Sequence, residues 1–158
     1  MANTQAMTTS FMGELMTATH NFGTAPVRAT GATDSFKAAL YLTSATVNAS
    51  TTAYSASNEV SGTGYSAGGV AVTFGTPPTA TNSSATAGVA FVTPSASITY
   101  TNVTLTTAFD AVLLYNSTQS NKAVSVHTFG SQTVTAGTFT LTMPTNNTTD
   151  ALIRLATT

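Results

Sequence analysis

The sequence predicts an all-β protein: an antiparallel β-sandwich or jelly roll of about eight strands, with one short N-terminal helix. Three observations carry that prediction. Apolar residues recur with a period of two from residue 35 onward, as in strands whose successive side chains point to opposite faces. Thr, Val and Ile dominate those segments, and β-branched side chains fit a pleated, half-buried surface. The stretches between them are rich in Gly, Pro, Asn and Ser, which favour turns for distinct backbone reasons.

Residues 1–34 read as an N-terminal arm with an amphipathic helix over about 9–20, where Phe11, Met12, Leu15, Met16 and Thr19 share one stripe. Thr9 or Ser10 supplies an N-cap. Gly13 inside the helix costs about 1 kcal/mol relative to Ala. The stripe either closes one end of the core or docks on a neighbouring subunit.

Residues 35–158 read as a single β-sandwich domain. Its first strand, Ser35–Leu42, sets Phe36, Ala38, Leu40 and Leu42 against Lys37, Ala39 and Tyr41. A long polar loop follows over 43–69. A structureless loop of that size is uncommon in a compact domain, so packing of Tyr54, Val60 and Tyr65, or a partner, is expected to order it. Further strands are expected at Val70–Phe74, Val89–Thr93, Ser97–Leu105, Ala111–Asn116, Ala123–Phe129, Thr138–Met143 and Ala151–Leu155. Thr76–Ala87 reads as an exposed connection and Gly130–Gly137 as a turn.

Composition excludes many chemistries. Charged residues are 6 % of the 158, against about 25 % in an ordinary domain, while 36 Thr and 16 Ser make a third of the chain hydroxyl-bearing. The bases Arg28, Lys37, Lys122 and Arg154 are too scattered to neutralise phosphates, so no nucleic-acid partner is expected. There is no Cys for a disulfide, thiolate metal site or nucleophile. Two distant histidines, His20 and His127, leave few metal-ligand sets. No apolar run is long enough for a membrane helix, and no secretory signal is visible.

Gly64-Tyr65-Ser66-Ala67-Gly68 matches the G-x-S-x-G elbow, and Asp110 and His127 follow in hydrolase order. The elbow needs a buried strand before it and a helix after it. Ser61–Gly64 and Val70–Phe74 supply neither. Gly62, Gly64 and Ala67 likewise mimic a dinucleotide fingerprint, without its strand, helix or downstream acid. Glu59 and Asp110 are the only carboxylates outside obvious turns or termini, and spacing does not bring them together. His20 is expected near the helix C-terminus, where positive charge is favourable, and His127 on a strand. Six Asn-x-Ser/Thr sites, at Asn48, Asn82, Asn102, Asn116, Asn146 and Asn147, read as unmodified. Tyr41, Tyr54, Tyr65, Tyr100 and Tyr115 either line a sugar-binding face or sit in the core and at subunit contacts. No catalytic residue, cofactor or metal is expected.

Two parts of the chain carry a resemblance. FKAALYLTSATVNASTTAYSASNEVSGTGYSAGG (Phe36–Gly69) resembles a block of small virion structural proteins of tailed bacteriophages. There a strand of the form FK-x-ALY leads through a Thr-rich loop into an E-V-x-G-x-G-Y-x-x-G-G turn. AVLLYN (Ala111–Asn116), AVSVHTFGS (Ala123–Ser131), GTFTLTMP (Gly137–Pro144) and ALIRL (Ala151–Leu155) follow the same order. The resemblance implies a non-enzymatic virion protein, foremost a capsid decoration (cement) protein at the shell exterior, assembled in the host cytoplasm. Its implied partners are the major capsid protein and further copies of itself in a homotrimer. A tail, neck or fibre component, with a receptor- or glycan-binding role, is the alternative. Phe11, Met12, Leu15, Met16, Tyr54, Val60 and Tyr65 are the expected contact residues.

Overall fold

The computed structural model describes residues 3–16, 19–20, 22, 34–82 and 88–156. Along the chain run β1 (Ala6–Met7), α1 (Thr9–Met16), β2 (Phe36–Leu42), β3 (Val70–Val72), β4 (Thr79–Asn82), β5 (Gly88–Val92), β6 (Ile98–Asn116), β7 (Lys122–Leu141) and β8 (Ile153–Ala156). They form two antiparallel sheets, of order β1-β7-β6-β2-β3 and β4-β5-β8. The result is sandwich-like, as the alternating pattern predicts.

The two faces of β2 bury different things. Phe36, Ala38 and Leu40 point inward with Val112 and Leu114 of β6, and meet Val92 and Ile153 of the smaller sheet. Ala39 and Tyr41 point outward with Ala111, Leu113, Tyr115, Ala123 and Val126, where Ala45 and Val47 of the following loop cover them. The larger sheet is therefore buried on both faces over this region. The long loop over 43–69 supplies much of the second cover, consistent with its lack of strands beyond isolated bridges at Ala53, Glu59 and Thr63.

Several boundaries differ from the sequence expectation. The expected strands 97–105 and 111–116 merge into one, β6, which begins at Ile98, and those at 123–129 and 138–143 merge into β7, which ends at Leu141. The expected turn over 130–137 is absorbed as irregularities in the β6–β7 ladder, with register shifts flanking Val103, Leu105 and Phe109. Ala136 takes a φ of +46° there. A neighbouring strand supplies enough hydrogen bonds to carry turn-prone residues as bulges. β4 lies inside the expected connection 76–87 and pairs with β5. The two-residue β1 pairs with β7 through Met7 and Ser125.

Candidate functional site

The seven expected contact residues sit in two places. Phe11 of α1 is fully buried in this chain's own core, edge-on to Phe22 at 5.8 Å between ring centroids. Its ring is thus spent internally and is not an outward contact. Leu15 packs against the same core and, with Phe11, Phe91, Ile153 and Leu155, lines an apolar hollow of about 60 Å³. Met12 is 46 % exposed and, among the described side chains of the stripe, is the one that faces outward. Met16 ends α1, and its side chain lies outside the described residues.

Tyr54 and Tyr65 come together on one carboxylate, Glu59, and Val60 beside it in sequence packs into the core. Tyr54 donates its hydroxyl to Glu59 Oε2 at 2.6 Å, and Tyr65 donates to Oε1 at 2.8 Å. The Gly68 amide donates to Oε1 at 2.7 Å. Tyr65 Oη also accepts from the Leu40 amide at 3.0 Å, which joins the loop to β2. Tyr54 stacks on Tyr115 at 4.8 Å and Tyr65 on Tyr100 at 5.9 Å. Val60 is buried, its amide donating to the Leu40 carbonyl. Ring stacking of Tyr54 and Tyr65 and burial of Val60 tie the loop to the sheet, which is the internal packing the sequence predicts as one way of ordering it.

The glycines make that arrangement possible. Gly64 has φ +80° and lies so close to Asn102 that a Cβ would overlap its carbonyl oxygen. Gly69, at φ +71°, meets the Ala38 carbonyl in the same way. Both conformations favour glycine, so the apparent nucleophile elbow and dinucleotide fingerprint are a loop laid tightly against β6 and β2.

The hydrolase residues have other partners. Ser66 closes a turn by accepting from the Gly69 amide. Asp110 accepts from Asn3, and His127 bonds Ser125. Burial pulls the His127 pKa down to about 4. Glu59 and Asp110 share no hydrogen-bond partner among the described residues.

Nor do the five tyrosines form a sugar-stacking face. Tyr41, Tyr100 and Tyr115 are each 2 % exposed, and the rings of Tyr54 and Tyr65 lie on other tyrosines. Of the Asn-x-Ser/Thr sites, Asn116 is fully buried, while the Asn82 side chain lies outside the described residues.

One polar cluster was not apparent from sequence. His20 is buried between Glu14 and Asn116, which also binds Asp34. The His20 and Asn116 positions are 96 residues apart, and no local spacing announces the pair. The nearest signal is that an amphipathic helix ends beside a histidine.

The chain matches no protein-family profile, no curated protein and no solved structure.

Proposed function

We propose that this chain is a non-catalytic structural protein of a tailed-bacteriophage virion, and within it a decoration protein seated on the major capsid protein at the head exterior. The observation that carries the reading is the structural coherence of Phe36–Gly69. The residues on which the resemblance rests are ones that this fold needs: Phe36, Leu40 and Tyr41 are core residues of β2. Glu59 and Tyr65 clasp the loop, and Gly64 and Gly69 permit its close approach. A shared pattern made of such residues argues for a shared fold.

The surface chemistry agrees with the setting. With 6 % charged residues and a net charge of −1, neighbouring copies meet little like-charge repulsion. Threonine and serine hydroxyls still allow hydrogen bonds directly or through water.

Quantitative mass spectrometry of purified particles tests the proposal. An abundance comparable with the major capsid protein supports decoration. An abundance matching a small ring or fibre moves the chain to the neck or tail. Absence from particles overturns the virion reading.

A further inference from the structure

The polar cluster at the end of β6 is buried at His20, Asp34 and Asn116 and also draws in Glu14 and the partly exposed Lys122, so that it holds three of the chain's nine charged residues. Its geometry fixes the state of the imidazole. Asn116 Oδ1 accepts from the Thr118 and Gln119 amides, each at 3.1 Å. Asn116 Nδ2 donates to Asp34 Oδ2 at 2.8 Å. These bonds orient the amide, so its nitrogen also faces His20 Nδ1, at 3.1 Å.

An amide nitrogen only donates. His20 Nδ1 must therefore accept, which leaves the proton on Nε2, where it is donated to Glu14 Oε2 at 2.7 Å. A second proton at Nδ1 would set N–H against N–H. Turning the Asn116 amide over would aim its oxygen at the Asp34 carboxylate and strip two backbone amides of their acceptor.

The imidazole also supports its surroundings. Phe11 of α1 packs on it at 4.9 Å, and Phe22 stacks on Phe36 of β2 at 4.6 Å. We propose that the His20–Asn116 contact is a pH-sensitive latch, in which a neutral imidazole holds α1 and Phe22 on the sandwich and proton uptake at Nδ1 releases them. The inference rests on this cluster and is independent of the virion reading.

Among the described residues, the charged groups facing His20 are Glu14 from α1, Asp34 ahead of β2 and Lys122 at the start of β7. Burial lowers the His20 pKa, the two carboxylates oppose that shift and Lys122 adds to it, with a net lowering from 6.5. A histidine held below its unfolded pKa contributes its full stability above 6.5. That contribution is lost as pH falls below this value toward the folded one.

Hydrogen exchange of the α1 amides in the full chain, corrected for intrinsic rates, tests the latch. Wild type is expected to lose protection by up to about tenfold per pH unit in that window, because one proton is coupled to opening. His20→Gln, which takes up no proton there but leaves His127 in place, is expected to keep its protection. Equal losses in both proteins overturn the proposal. Imidazole nitrogen shifts in wild-type protein give a measurement that needs no variant. The Nε2–H tautomer at neutral pH supports the latch, whereas an Nδ1–H tautomer or an imidazolium overturns it.

Discussion

Glu59 shows how one side chain can organise a loop. Its carboxylate takes three donors, from Tyr54, Tyr65 and Gly68, at 2.6–2.8 Å. Hydrogen bonds to a charged group each contribute about 1.5–3 kcal/mol net, and they do not add fully. Glu59→Ala removes the acceptor while leaving the donors in place. It is expected to destabilise the chain by about 2–4 kcal/mol, read as a lower urea midpoint with little change in slope. Limited proteolysis should then cut first within the loop. The sequence marks Glu59 only as a lone acid, because nothing in residue spacing shows that two tyrosines fold back on it. The ordering role of Tyr54, Val60 and Tyr65 was legible, since large side chains in a polar loop need somewhere to pack.

At the scale of elements, the β6–β7 hairpin dominates the larger sheet. Phe109 is fully buried on β6, with Phe129 and Phe139 of β7 edge-on at 6.0 and 5.0 Å. Phe109→Ala leaves a cavity among those rings and is expected to cost about 3–5 kcal/mol, measured by thermal or urea unfolding. The same change on the exposed face, Thr106→Ala, serves as the control and is expected to fall within about 0.5 kcal/mol of wild type.

Strand existence was legible in the alternation of Phe36–Leu42 and in the short apolar run of Ala111–Asn116, whereas strand length was not. Gly130, Ala136 and Gly137 look like turn residues, yet the long ladder with β6 carries them as strand. β4 was hidden for the opposite reason. Thr-Ala-Thr-Asn is short and polar, and only its pairing with β5 makes it a strand.

At the scale of the whole molecule, all five tyrosines are drawn into the packed interior or the Glu59 clasp. Burial is the leading cause that raises each pKa: Tyr41 is pushed up to about 12, and Tyr54, Tyr65, Tyr100 and Tyr115 also lie above the ordinary value of 10. Glu59 adds to all five shifts. A phenol whose folded pKa is raised favours the neutral form in the fold. Its contribution is complete below pH 10 and declines as pH rises from 10 toward the folded pKa. Alkaline titration is therefore expected to show little phenolate absorbance until the chain unfolds, with both signals rising together. Independent ionisation of even one or two tyrosines near pH 10, with the fold intact, would count against this interior.

The pairing of Met7 with Ser125 bears on biosynthesis. Met7 finds its partner only after a further 118 residues have been added. At about 5–20 residues per second, that delay is roughly 6–24 s. During it, β1 has no ladder to join, and Thr8 lacks the Ala123 and Val124 carbonyls that its hydroxyl later contacts. β1 is made early and seated late, so a nascent chain stopped before β7 leaves it without its ladder partner.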